Sequence, residues 1–382
     1  MLIVLALTCL ITLLVICRQL GIFSGRYAAV RDYAALLEKI DEVYIGQYDE
    51  DDISAAAMRA AVDALDDRWS YYLTPDEYAD FLDNVNNRYA GIGVGVVADD
   101  VHGGMMVTFV YKGSAAETAG ILAGDVIIGI DGEDLSGSDL EDMKNRLARA
   151  LGETVELTVL RAGGNVETVT AYYSYVFIDP VSFVMLEGDT GYISLADFDK
   201  GSARSFISAC EELMSAGAGA FIFDVRGNGG GRLAEMTEIL DYLLPEGDIF
   251  VAVDRSGTEE VTISGPGGVD LPAAVLIDRY SFSAAEYFAA MLKEYGRAVL
   301  VGEHTTGKNR VQTTYELPGG GALHISSGQY LTKERVSLYD VGGVSPDFPV
   351  DLTEEEFALL YYGILDFGDD PQLVAALAAL GR

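Results

Sequence analysis

Ser283 opens the stretch SAAEYFAAMLKEYG, and Lys308 follows Gly307 in GEHTTGKNRVQ. A serine hydroxyl attacks carbonyls only beside a base. A lysine is such a base once its pKa has fallen from about 10.4 to roughly 7–8. That shift is worth about 4 kcal/mol, which burial can supply. The pair therefore predicts Lys308 in an apolar pocket with no carboxylate partner. Plainer readings exist for both residues. Ser283-Ala-Ala-Glu286 fits a capping box with Glu286 reaching back to the cap backbone, and Lys308 fits a loop lysine. The readings of Ser283 are compatible, because a helix start offers unpaired N–H groups and a positive dipole end that stabilise an oxyanion. Residues two apart on a strand share a face, so Lys308, Arg310 and Gln312 point together, and the Gln312 amide can orient the lysine amine. DVRGNGGGRL follows a buried strand but lacks the Gly-Lys-Ser/Thr of a phosphate loop. Its glycines make a tight turn or supply a second oxyanion donor. His102, His304 and His324 are the other bases. A Ser-His-Asp hydrolase built on His304 or His324 is the competing arrangement.

These residues need a scaffold. The chain has 382 residues, half of them apolar, enough for two or three domains with real cores. With 25 basic against 60 acidic residues its formal net charge is −35, a field that repels nucleic acid and anionic lipid headgroups. Cys9, Cys17 and Cys210 permit neither a disulfide framework nor zinc spacing. Met1 to Cys17 is uncharged and reads as an uncleaved membrane anchor extended by Leu20, Ile22 and Phe23, with a cleaved signal peptide as the alternative. Arg18, Arg26 and Arg31 follow it, which by the positive-inside rule keeps the bulk of the chain cytoplasmic.

Helical spacing runs through residues 27–66. Thr74 caps a short helix with Pro75 at its first position. Residues 84–172 are strand-like, with helices at Ala115–Ala119 and Asp139–Leu151. From about Val176, apolar strands alternate with helices, the mark of an α/β layer structure with both sheet faces covered. A helical tail, Glu354–Leu380, follows. The expected parts are a membrane anchor or signal (1–23), a helical segment (24–83), a β unit (84–172), an α/β core (173–352) and a tail (353–382).

In this order the motifs resemble those of the carboxyl-terminal processing peptidases, the tail-specific serine proteases of family S41. The family's Ser-Ala-Ser-Ala-Ser-Glu is Ser281-Phe-Ser283-Ala284-Ala285-Glu286 here. Its Gly-Lys-Gly-x-Val-Gln is Gly307-Lys308-Asn309-Arg310-Val311-Gln312, and its Asp-Leu-Arg-x-Asn-x-Gly-Gly is Asp224 to Gly231. LDDRWSYYLTPDEY, GIGVGV, GSAAETAGILAGDVIIGIDG and GVSPD also fall in family order, and the likeness covers residues 35–350. The resemblance implies Ser283 as nucleophile, Lys308 as general base, Gln312 as its orienter, and the Gly230 and Ala284 N–H groups as oxyanion hole. It implies a PDZ domain at 84–172, with Gly91, Ile92, Gly93 and Val94 as the loop that takes a peptide's C-terminal carboxylate. It implies a multidomain α/β fold: an N-terminal membrane helix, a helical segment, the PDZ domain and a ClpP/crotonase-like catalytic core. The activity implied is cleavage of proteins near their C-termini through an acyl-enzyme, without metal or other cofactor. The implied partners are peptide substrates with free C-termini and the membrane, not nucleic acid, and homo-oligomers are left open. The resemblance implies a catalytic domain outside the cell membrane on a single-pass anchor, which conflicts with the charge rule above and is preferred to it. GIGVG is no dinucleotide loop, since no helix follows it. Three positions depart from the pattern: Arg149 is displaced by one, Asn309 replaces a glycine and Ala285 a serine. A catalytically inert PDZ protein that binds peptides is the remaining alternative.

Overall fold

The computed structural model describes Thr12, residues 25–361 and residues 365–382. The chain divides into two units, one ending at Ala61 and one spanning Val62–Arg382. Helices Gly25–Val43 and Glu50–Asp63 account for the periodicity read over 27–66. The second opens on Glu50, Asp51 and Asp52, acids at the positive end of the helix dipole.

The expected N-terminal membrane helix, and with it a membrane partner, is not supported. Among the described residues no helix is long and apolar enough to cross a membrane. The long helix Gly25–Val43 carries Arg31, Asp32, Glu38, Lys39, Asp41 and Glu42, charges that a hydrocarbon core excludes. Residues 1–23, on which the expectation rested, lie outside the described residues apart from Thr12.

In the second unit, β1 (Tyr71–Leu73) precedes a helix, Pro75–Val85, whose start is the predicted one. Thr74 accepts from the Glu77 N–H, Glu77 answers to the Thr74 N–H, and proline stands in the first turn. A β unit follows. β2 (Tyr89–Gly91) pairs with β9 (Ser174–Val176) at its base. Asn87 locks that base by donating to the Ile178 carbonyl at 2.7 Å and accepting from its N–H. Within it, β3 (Val94–Asp99), β4 (Gly104–Val110), β5 (Val126–Ile130), β7 (Thr154–Leu160) and β8 (Val166–Tyr172) form one sheet in that order, with β6 (Glu133–Asp134) beside β5. β3 is therefore an edge. Helices Ala115–Thr118 and Leu140–Leu147 close a separate core around Met105, Ile127, Leu157 and Val159. The expected helix at Asp139–Leu151 is shorter: Asp139 is its cap, and the chain turns extended at Ala148.

The rest of the second unit holds two sheets. β10 (Val181–Leu186) runs antiparallel to β11 (Thr190–Leu195), which heads a parallel series of β12 (Ala220–Asp224), β15 (Ala273–Ile277), β16 (Ala298–Gly302) and β19 (Phe348–Pro349). Strand alternation sends Ile193, Phe221, Phe223, Val275 and Leu300 into one core with Phe206, Leu240 and Phe288 of the crossover helices. Tyr192, Ile222, Ala274, Leu276 and Val301 face the other way, against Leu373 and Ala376 of helix Pro371–Ala379. Each such side chain contributes about 1.5–3 kcal/mol by leaving water. The second sheet joins β1 and β17 (Arg310–Glu316) to β18 (Ala322–Leu331), with β13 (Gly247–Val253) and β14 (Glu259–Ser264) beyond. The tail is two helices, Glu354–Tyr361 and Pro371–Ala379, rather than one. Pro371 starts the second under an Asp370 cap.

That last helix is tied to the sheet through Arg226. Its guanidinium pairs with Asp224 at 2.5 Å and Asp370 at 2.8 Å, with all three side chains buried, and donates to Gln372 Oε1 at 2.9 Å. Arg226→Ala would leave two buried carboxylates without their counter-charge. We expect a loss of about 3–5 kcal/mol, measured by urea unfolding. A change within half a kcal/mol would show the network to be dispensable.

Candidate active site

β12 and β15 are parallel neighbours, with Asp224 opposite Leu276. The loops after them leave the same sheet end, which carries the glycine loop to Ser283. Ser283 sits between strand and helix at φ 59°, ψ −121°, outside the regions that side chains favour, a strain of order 1–3 kcal/mol. Its hydroxyl makes no cap bond. Gly230, at φ +100°, backs directly onto it. A Cβ there would lie 2.7 Å from the Ser283 Cβ, so glycine is required by conformation and by space. The Gly230 N–H donates to Asn228 Oδ1 at 2.8 Å. Buried Asn228 also donates to the Leu195 carbonyl and accepts the Phe282 N–H on its own carbonyl. Ala284 is the first residue of the helix Ala284–Glu294, and its N–H has no acceptor among the described residues.

Ser283 and Lys308 line one cavity of about 560 Å³, together with Ala284, Gly229, Gln312, Tyr330 and His324. Lys308 is only 8% exposed. Burial pushes its amine down to about 8; Asp67 and Glu286 pull upward and Arg68 presses down. Among the described residues it makes no ion pair, and its Nζ lies 4.2 Å from the centre of the Trp69 ring. The backbone of Lys308 is held on both sides. Its N–H donates to Glu286 Oε2 at 2.9 Å, and its carbonyl accepts from the Tyr330 hydroxyl. Burial raises Tyr330 well above the ordinary phenol range, and a hydrogen bond with the Ser283 side chain draws it back, so it remains a donor.

Glu286 overturns the capping-box reading. It is fully buried and accepts from the Thr305 hydroxyl, the Gly307 N–H and the Lys308 N–H. It thus fastens the lysine loop to the helix that begins at the serine. Burial raises its pKa. Asn309, which replaces the expected glycine, is 2% exposed and donates to Ser337. Arg149, the displaced arginine, pairs with Asp131 inside the β unit.

Gln312 reaches the cavity, but its Nε2 donates to Ser326 Oγ at 3.3 Å rather than meeting Lys308. Lys308, Arg310 and Gln312 do line the one cavity, but the alternation that would set amide against amine is irregular for two reasons. The strand starts only at Arg310, and its pairing shifts between Val311 and Gln312. His324 lines the cavity, but its Nδ1 bonds Thr314 and its ring stacks on Tyr71. His304 is exposed and bonds the Thr305 carbonyl. His102 bonds Asp99 in the β unit. Trp69, Asn228 and Tyr330 were not singled out from sequence. Trp69, the chain's one tryptophan, and Asn228 both lie within motifs of the resemblance, a signal worth following; Tyr330 carried none.

In the β unit, Gly91 ends β2, and the carbonyls of Ile92 and Gly93 accept from Ala116 and Tyr111. The N–H groups of Ile92 and Gly93 have no acceptor among the described residues. Gly93 takes φ +86°, and a Cβ there would meet Ser114 Cβ at 2.3 Å. Val94 starts the edge strand β3.

The profile of Peptidase family S41 matches residues 189–350, and that of the PDZ domain residues 106–161. A carboxyl-terminal-processing protease of Picosynechococcus sp. is 30% identical over 325 residues, covering 82% of this chain and 78% of its own length. The carboxy-terminal processing protease CtpA of Bacillus subtilis is 28% identical over 320 residues, covering 83% of this chain and 68% of its own length. A crystal structure from Bacteroides fragilis, described as an S41 protease, superposes with a TM-score of 0.56 at 19% identity, covering 89% of this chain and 91% of its own; it speaks to the fold.

The Glu286 clamp makes its own prediction. Glu286→Ala frees the loop that aims Lys308, and misplacement of that order costs about a hundredfold in rate. We expect kcat on a peptide substrate to fall by that factor with KM little changed. An unchanged kcat would reduce Glu286 to a fold contact.

Proposed function

Because the chain belongs to peptidase family S41, the carboxyl-terminal-processing serine proteases, we propose that Ser283 is its nucleophile and Lys308 its general base. The observation that carries this reading is a lysine amine buried without an ion pair in the same cavity as a strained serine. Ser283 Oγ attacks the peptide carbonyl carbon as its proton passes to Lys308 Nζ. The oxyanion is received by the Ala284 N–H and by the Gly230 N–H, which exchanges Asn228 Oδ1 for it. Collapse breaks the C–N bond, and the leaving amine takes the proton from Lys308. Water then cleaves the ester with Lys308 again as base, freeing Ser283. Gln312 orients the amine by giving up its bond to Ser326. His324 supports the rival Ser-His-Asp arrangement poorly, since the partner of its Nδ1 is the Thr314 hydroxyl rather than a carboxylate.

The PDZ domain brings the substrate by its tail. The free N–H groups at Ile92 and Gly93 suit a carboxylate, and the open edge of β3 accepts an added strand. The substrate class is therefore a protein with a free C-terminus.

A fluorophosphonate probe should label Ser283 in the full chain, with labelling lost in Ser283→Ala and cut about a thousandfold in Lys308→Ala. Protonated Lys308 cannot accept a proton, so the labelling rate should rise with pH about a midpoint near 8. Labelling that survives Lys308→Ala, or that vanishes on joint replacement of His304 and His324, would refute the dyad. Tail capture has a separate check. Hydrogen bonds to a charged group contribute about 1.5–3 kcal/mol, so amidating a peptide's C-terminus should lower kcat/KM at least tenfold. Equal cleavage of both forms would exclude carboxylate recognition.

A further inference from the structure

A second cavity, of about 1020 Å³, adjoins the first, and Gly229 lines both. Its wall on that side is Phe282, the residue before Ser283. A Cβ on Gly229 would lie 3.0 Å from the Phe282 ring, so the ring closes against the glycine loop. The far wall comes from the tail, through Phe357, Leu360, Tyr361 and Phe367. The rim is unusually apolar for an exposed surface: Tyr280 and Phe367 are 46% exposed and Tyr361 76%. The charged groups beneath it are already satisfied. Arg226 is neutralised by Asp224 and Asp370, and the Tyr192 hydroxyl donates to Asp224. Asp278 accepts from the Gly227 and Tyr280 N–H groups and the Ser281 hydroxyl. Asp366 on the exposed tail is the one charged lining residue outside these networks among the described residues, so the walls between Phe282 and the tail aromatics favour apolar groups.

We propose that this chamber is a side-chain subsite of the same protease, taking a large apolar or aromatic residue of the substrate next to the cleaved bond. The inference rests on Ser283 as nucleophile. Gly229, the neighbour of Gly230, lines both cavities, which sets this chamber beside the point where the glycine loop and Ala284 would hold the carbonyl. Phe357 and Leu360 are then specificity-determining residues, supplied by a tail outside the parallel sheet.

The test is cleavage by the full chain of a peptide mixture varied at each position around the cut. The wild type should favour phenylalanine over alanine at one fixed position by at least about tenfold, the discrimination an apolar pocket supplies. Phe357→Ala should erase that ratio, and Leu360→Trp, which fills the chamber, should turn it toward small residues. A wild type indifferent to side-chain size, or unchanged ratios in both variants, overturns the proposal. Fluorophosphonate labelling of the same samples reads the dyad separately. Absent labelling of wild-type Ser283 counts against the nucleophile, whereas an unchanged ratio counts against the chamber.

Discussion

An ammonium cannot take a proton, and water keeps lysine an ammonium. The whole catalytic half follows from keeping one amine dry and unpaired. The shift of Lys308 from 10.5 to about 8 corresponds to roughly 3 kcal/mol, most of it desolvation. Because the folded pKa is the lower one, the folded state binds fewer protons between about 8 and 10.5. This residue therefore penalises the fold below pH 8, and stability rises with pH through that window. The apolar cores and the Arg226 network must outweigh that penalty. The ring of Trp69 shields the amine. Glu286 could have neutralised it, yet its oxygens are taken by the Thr305 hydroxyl and two backbone N–H groups.

Position comes from three separate devices. Parallel pairing of β12 with β15 sets the glycine loop beside the nucleophile. Glu286 locks the lysine loop to the helix that starts at the serine. The second sheet carries Trp69 over the amine, because β1 pairs with β18 in a register that sets Tyr71 against His324. The strained backbone at Ser283 is tolerated because its neighbours overdetermine it, with Gly230 packed behind and a buried helix ahead. In this arrangement the Gly230 N–H, the Gln312 amide and the Ser283 hydroxyl each have a partner other than the one chemistry needs. On the proposed mechanism, turnover includes a small local rearrangement of hydrogen bonds.

Much of this was legible in the sequence because it is local. The helix start at Thr74, the alternation of apolar strands with helices and the strand–helix corner at Ser283 all depend on neighbours in the chain, whereas the burial of Lys308 was legible only because a lysine base has to be desolvated. What stayed hidden depends on distance or on a break in periodicity. Glu286 at three residues past a serine looks like a cap partner; only the fold shows that its carboxylate faces the lysine loop. The bulge at Val311 and Gln312 defeats alternation. Trp69 meets Lys308 through pairing between segments far apart in sequence, which leaves no local signal. The membrane helix failed for a different reason: apolar composition at residues 1–17 says what a segment could do, and the long helix that follows, Gly25–Val43, is charged.

The central claim is that the Lys308 amine loses its proton near pH 8, so that a working fraction of it is neutral near physiological pH. Its titration can be followed directly by heteronuclear NMR of protein labelled in the lysine side chains, with the Lys308 resonance assigned by its loss in Lys308→Arg. The account predicts a titration centred near 8. A midpoint at or above the ordinary lysine value of about 10.4 would leave Ser283 without its base and contradict it.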